Sequence, residues 1–225
     1  LGSAFRETRD ERYAATARHY IEAIIRDFGL RAGWTPAPPD GDTQYDIRVS
    51  SWLQALPAFL GSEAFDDAFL GVLLEAVWAK LTHLSGHVYR AGNIRLLHGD
   101  VLLLNAFRLP FLPEAAAWRE QAVTILNDEV SRQILPDGAH VEAVPGYHLV
   151  VLHHIYVWWR VARALPELGL VVPTDAVSRM ADYSLASRLP HGGMIPMHDS
   201  IGRPGPGPHP NEALGPRREF RRLAG

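Results

Sequence analysis

The chain has 225 residues, 47% of them hydrophobic, with a formal net charge of −3. That content suits one large core or two small ones, and it lacks the basic excess of a nucleic-acid binder. Without cysteine, disulfides and thiolate metal sites are excluded, and no unbroken apolar run reaches the roughly 18 residues of a membrane span, so neither nucleic acid nor membrane is an expected partner.

The chain begins at Leu1 with neither a methionine nor a signal peptide. Residues 9–28 read as an amphipathic helix, because Tyr13, Ala17, Tyr20, Ile21, Ile24, Ile25 and Phe28 recur at helical spacing, and Gly29 is a C-terminal stop. The Pro- and Gly-punctuated residues 31–44 read as loop. A second helix is expected over 45–60, with Ile47, Trp52, Leu56 and Phe59 or Leu60 inward and Pro57 kinking or ending it. Ser62 is placed to cap a third helix that fades near Ser85 and Gly86, with Phe65, Phe69, Val72, Leu73, Ala76 and Val77 on its apolar face. A fourth helix over 93–109 carries the run VLLL and is closed by Pro110 and Pro113. The fifth, over 114–135, aligns Trp118, Ala122, Ile125, Leu126, Val130 and Ile134. Pro136, Asp137 and Gly138 form a turn signature, and the sixth and seventh helices span 147–165 and 174–189. From Pro190 to Pro216 the chain is Gly/Pro-rich and reads as loop, followed by the basic run PRREFRRLAG, which ends at Gly225. Both ends read as cuts.

The strand candidate is the short stretch HVEAV at 140–144. The expected class is therefore all-α, with layered helical hairpins as in a helical toroid. An irregular bundle or a repeat array is the competitor, and no fixed period of 30–45 residues supports the array.

The stretch from Leu135 to His154 gathers His140, Glu142, Tyr147 and His148 around Pro145 and Gly146 at a helix start. A tyrosine there packs in most proteins. In this company it is also a candidate proton donor, since its free pKa of about 10 keeps it protonated at neutral pH. Asn93 follows a glycine at another helix start. It reads either as an N-cap or as an amide that hydrogen-bonds a substrate carboxylate and stabilises charge developing beside it. His83 and His87 have the i,i+4 spacing of metal ligands, but Gly86 interrupts that helix and no HExxH glutamate accompanies them. His153 and His154 point to different faces. No metal site is expected, and no GxSxG elbow supports a serine hydrolase. Among the tryptophans, Trp34 in the Pro-rich loop is the best candidate to stack on a sugar ring. Asp199 and Arg203 place an acid and a base in the DSIGR run, where a solvated salt bridge is the plain alternative.

These features together resemble the heparinase II/III-like polysaccharide lyases, in their N-terminal α/α-toroid domain. The family's G-N-H-like motif reads Gly92-Asn93-Ile94 here. Its L-P-D-G helix end is Leu135–Gly138, and its E-x-x-P-x-Y-H motif is Glu142, Pro145, Tyr147 and His148. Asn93 and Tyr147 lie 54 residues apart, which suits the Asn/Tyr pair of heparinase III-type enzymes. Arg48 to Trp52 resembles the family's R-x-x-x-W helix, and Pro196 to Arg203 a degraded G-D-x-D-x-G-R loop. Ile94 replaces the family's histidine, and HDSIGR lacks one acidic position.

The resemblance implies an incomplete (α/α) toroid of antiparallel hairpins over residues 1–190. Residues 191–225 would be a loop and tail leading towards the family's β-sandwich, which this chain lacks and which supplies a further catalytic histidine. It implies β-elimination on a uronic acid without a cofactor, in a periplasmic or secreted bacterial setting. Asn93 would neutralise the carboxylate and Tyr147 would be the acid and possible base. His148, Glu142, His140, Arg48, Trp52, Trp34, Asp199 and Arg203 would bind or orient an acidic polysaccharide or oligosaccharide. The mild negative charge leans towards a lightly sulfated or non-sulfated polyuronate. A non-catalytic glycan-binding toroid and a helical scaffold stay open as alternatives.

Overall fold

A computed structural model describes residues 1–28, 30, 42–189, 193, 195, 197 and 200. Eight α-helices account for most of them: α1 (Gly2–Thr8), α2 (Glu11–Phe28), α3 (Asp42–Phe59), α4 (Asp67–Gly86), α5 (Gly92–Arg108), α6 (Ala115–Gln133), α7 (Pro145–Ala164) and α8 (Thr174–Ala186). Among the described residues no strand is formed; Ile134 and His140 make an antiparallel bridge, and Arg188 is a further bridge residue. The HVEAV candidate is therefore not a strand. Ala143 takes a left-handed φ of 54° and donates its N–H to the His140 carbonyl, so the backbone turns within three residues. The expected all-α class is observed.

Contacts divide the chain into two units. One comprises Leu1–Tyr89 with Val101–Ala122, the other Arg90–Asp100 with the residues from Val123 onward.

In the first unit α1 packs on α2 and α3, and α3 on α4. Phe5, Phe59, Phe65 and Phe69 build an aromatic core, with Phe59 and Phe65 stacked at 4.6 Å and Phe69 edge-on to Phe65. Helix α1 has no counterpart in the hydrophobic pattern, because its seven residues bury only Phe5. Ser62 caps a short 3₁₀ turn, Glu63–Phe65, rather than the third helix. Asp66 caps α4 instead, accepting the Phe69 N–H at 2.7 Å while holding Arg18 at 2.9 Å. In α3 the buried side chains among those described are Val49, Leu53 and Phe59; Phe59 is inward as expected, but the expected Trp52 and Leu56 are half-buried. Pro57 lies inside the helix, which ends two residues later, and the Ile47 side chain falls outside those described. In α4 Val72 is exposed rather than inward, as are Tyr20 and Phe28 of α2. Among the described residues α4 alone reaches, by length and apolarity, the measure of a membrane-crossing helix, which the search for unbroken apolar runs did not register. Its Phe69, Leu73, Ala76, Val77, Leu81, Leu84 and even Lys80 are nonetheless buried, as in the core helix of a globular unit.

The second unit positions the candidate site. The start of α5 runs antiparallel to the end of α6: Gly92 meets Gln133, Arg95 meets Glu129, and Gly99 lies against Ile125 and Leu126. A Cβ on Gly99 would come within 3.0 Å of the Ile125 side chain, so glycine permits this close approach. Helix α7 packs on α8. The turn between α6 and α7 is pinned there by Gly138, whose φ is +89° and whose Cβ would overlap the Arg179 carbonyl.

Candidate active site

Asn93 and Tyr147 occupy the first turns of α5 and α7, where helical N–H groups lack intrahelical acceptors. Both starts are capped from far along the chain. Glu142 Oε1 accepts the Asn93 backbone N–H at 2.8 Å across 49 residues. Val144, the local N-cap of α7, makes no side-chain cap, and Ser200 Oγ instead accepts the Gly146 N–H at 2.9 Å. Asn93 is therefore not an N-cap. It lies inside α5, and the capping carboxylate is Glu142, which adds favourable charge at the positive end of the helix dipole. Gly92 makes room for it: its φ is +80°, and a Cβ would stand 2.8 Å from Glu142 Oε1.

Beneath this tie runs a buried polar chain. Arg95 Nε lies 2.9 Å from Glu129 Oε1. Gln133 Nε2 donates to Glu129 Oε2 and to the Gly92 carbonyl at 2.7 Å, and Gln133 Oε1 faces His140 Nε2 at 2.7 Å. The carboxylate fixes the amide orientation, so Oε1 must accept and His140 carries its proton on Nε2. His148 Nε2 likewise donates to the Met180 carbonyl at 3.0 Å, and its ring lies 5.0 Å from that of Tyr183. The two histidines are 1% and 2% exposed, and both Nδ1 atoms are buried without a hydrogen-bond partner.

Burial pushes the pKa of His140 below the imidazole range, against the pull of Glu142. Burial does the same to His148, opposed by its bond to Met180 and reinforced by His140. Both are thus neutral near pH 7. Each is enclosed by protein, which suits the orienting half of the expectation that they bind or orient.

Tyr147 itself is half-buried, as are Asn93, Ile94 and Glu142. So five of the expected residues, Asn93, His140, Glu142, Tyr147 and His148, belong to one local arrangement. Arg48 and Trp52 lie one turn apart on α3 in the other unit, both half-buried. Trp34, Asp199 and Arg203 lie outside the described residues. Among the described residues no group of three or more His, Asp or Glu side chains is placed to hold a metal ion.

Reading by motif took in Gly92 but passed over Gln133, Glu129 and Arg95, and also a titratable pair two turns further along both helices. Asp100 on α5 meets His154 on α7 at 3.1 Å. A search for titratable residues seven positions after Asn93 and after Tyr147 would have found that pair.

The model of the heparinase II/III N-terminus matches residues 1–202. A heparin-sulfate lyase of Pedobacter heparinus is 31% identical over 163 residues, which cover 68% of this chain and 23% of that protein. One from Bacteroides stercoris is 28% identical over 170 residues, covering 68% of this chain and 26% of its own length. The chain thus spans about a quarter of these relatives. A crystal structure of heparinase III superposes with a TM-score of 0.78 at 21% identity, covering 99% of this chain and 35% of that one. A heparan sulfate lyase from Pedobacter heparinus gives 0.63 at 23% identity, with the same coverage. The fold is therefore the helical fold of those proteins, as the α/α-toroid expectation required, and the chain belongs to the heparinase II/III N-terminal family.

Proposed function

We propose that this chain is the helical part of a polysaccharide lyase that cleaves a uronic-acid-containing glycan by β-elimination. The observation that carries the reading is the Glu142–Asn93 hydrogen bond of 2.8 Å. It ties the loop that leads into Tyr147 to the first turn that bears Asn93, so the two candidate reacting side chains share one scaffold.

The C5 proton of a uronate is a poor acid while the neighbouring carboxylate keeps its full charge. An amide N–H from Asn93 to that carboxylate stabilises the charge that develops as the proton leaves. Tyr147 stands as the acid towards the O4 leaving group, and as base when its phenolate accepts the C5 proton. The electron pair left at C5 forms the C4–C5 double bond as the C4–O bond breaks, which gives an unsaturated sugar end. Glu142 positions Asn93, while His140 and His148 hold the turn and α7. Arg48 and Arg203 are proposed to hold acidic groups of the glycan, since guanidinium matches carboxylate and sulfate geometry. Trp52 and Trp34 are proposed to pack on sugar rings, and Asp199 to help bind or orient the glycan. The chemistry draws on no cofactor.

The curated relatives carry the name heparin-sulfate lyase. They support a sulfated glycosaminoglycan over the non-sulfated uronan to which the chain's charge leans. The test is the rise in ultraviolet absorbance of the unsaturated uronate when the full-length protein meets heparan sulfate, hyaluronan or alginate. Tyr147→Phe and Asn93→Ala should each lose at least about 100-fold in kcat, the first as when a positioned acid–base group is removed, the second as when a donor to developing charge is removed. Full activity in Tyr147→Phe would refute the assignment.

A further inference from the structure

Helices α5 and α7 meet at two levels. At the first, Glu142, three residues ahead of α7, holds the N–H of Asn93 in the first turn of α5. At the second, Asp100 Oδ1 and His154 Nδ1 lie 3.1 Å apart. Asp100 follows Asn93 by seven residues, and His154 follows Tyr147 by seven. Start meets start and the second level meets the second level, so the two helices run in the same direction.

Seven residues advance a helix by about 10.5 Å and fall only about 20° short of two full turns. Asn93 therefore stands almost directly above Asp100 on the side of α5 that faces α7, and Tyr147 stands likewise above His154. Asp100 is buried, at 6% exposure, and the His154 side chain is 22% exposed. His153 sits edge-on to His154, with ring centroids 5.6 Å apart. Burial opposes protonation of His154, but the charge of Asp100 and the hydrogen bond to it prevail and raise its pKa, while His153 is lowered by burial and by His154. The pair thus acts as a charge-assisted bond, whose short length and directionality fix geometry more tightly than apolar packing does.

We infer that Asp100 and His154 clamp α5 to α7 and set the position of Asn93 against Tyr147, so that both are positioning residues for the elimination. The inference rests on the proposed reacting pair. Neither residue needs to touch substrate. A misplacement of about 1 Å between reacting groups is enough to slow a reaction about 100-fold.

The test compares Asp100→Ala, Asp100→Asn, His154→Phe, His154→Gln and Tyr147→Phe in the full-length protein, with heparan sulfate as substrate and circular dichroism as the check on folding. In Asp100→Ala and His154→Phe, kcat should fall about 10- to 100-fold with KM within about twofold of wild type. Asp100→Asn and His154→Gln keep a hydrogen-bonding partner across the gap, and should keep most of kcat. They also serve as the folded variants if the larger changes do not fold. Unchanged kcat in Asp100→Ala and His154→Phe, with Tyr147→Phe inactive, overturns the clamp and leaves the reacting pair standing. Equal loss of kcat in Asp100→Asn and Asp100→Ala also overturns it, because a retained hydrogen bond should rescue. An active Tyr147→Phe overturns the reacting pair itself.

Discussion

Removing the Glu142 carboxylate tests the link on which the site is built. In Glu142→Ala the partly buried Asn93 N–H loses its acceptor, and an unsatisfied buried donor costs about 1–3 kcal/mol. The lost charge at the α5 N-terminus adds about 0.3–1 kcal/mol, and partial access of water to the half-buried position offsets some of this. A net loss of about 2 kcal/mol follows, equivalent to a fall of about 4–8 °C in melting temperature for a domain of this size. Glu142→Gln keeps an acceptor oxygen and loses the charge, so about half of that fall is expected. Thermal unfolding followed by circular dichroism reads the first effect. Lyase kinetics read the second, a drop in kcat of about tenfold or more as Asn93 loses its fixed position. A Glu142→Ala protein that melts with wild type and turns over at the wild-type rate would refute the reasoning.

Two other substitutions and the titration of His154 extend the same logic. Gly138→Ala combines a φ of +89° with overlap on the Arg179 carbonyl. It should cost about 3 kcal/mol or more, and be visible as a lowered or lost cooperative melt. For His140 and His148 the folded pKa lies below the ordinary value of 6.5. The unfolded chain therefore binds more protons at mildly acid pH. The stability these residues contribute is complete above that value and is lost as pH falls towards and through their folded pKa. Melting temperature should thus drop from pH 7 to pH 5, and the slope should flatten in His148→Gln. His154 has the opposite sign: its contribution is complete below 6.5 and is lost as pH rises through its raised folded value. Proton NMR of the imidazole resonances separates the two classes directly, and a His154 that titrates below His148 would contradict the arrangement.

The helices were legible because apolar residues recur at helical spacing over windows long enough to average out exceptions. Where the signal is short or ambiguous the reading failed for physical reasons. The seven residues of α1 bury one side chain, which is no period at all. In α3, Trp52 and Leu56 looked inward by hydrophobicity, but Val49 and Leu53 are buried instead; an indole with its polar N–H tolerates a boundary, whereas nothing in the sequence separates Leu56 from Leu53. HVEAV has strand composition, yet Ala143 adopts a conformation that ends any strand, and composition does not encode one residue's φ. The candidate site was legible as a cluster within nine residues plus one distant asparagine. Its support was not, because Glu142 to Asn93, Gln133 to Gly92 and Ser200 to Gly146 each join residues 41 to 54 positions apart.

That long-range support bears on the choice between a catalytic and a merely structural Asn93. An asparagine beside a helix start explains itself when its own side chain caps the helix. Here the cap comes from Glu142 instead, and the residue before Asn93 is a glycine that the incoming carboxylate requires. The same substitution of a distant cap for a local one recurs at α7, where Ser200 replaces Val144 immediately ahead of Tyr147. A fold that only needed two stable helix starts would obtain them from a serine or aspartate in sequence, as α4 does with Asp66. Bringing caps from elsewhere instead ties the backbone of each start to another segment. Such preorganisation supports the proposed roles of Asn93 as a carboxylate-binding amide and Tyr147 as a proton-transferring phenol.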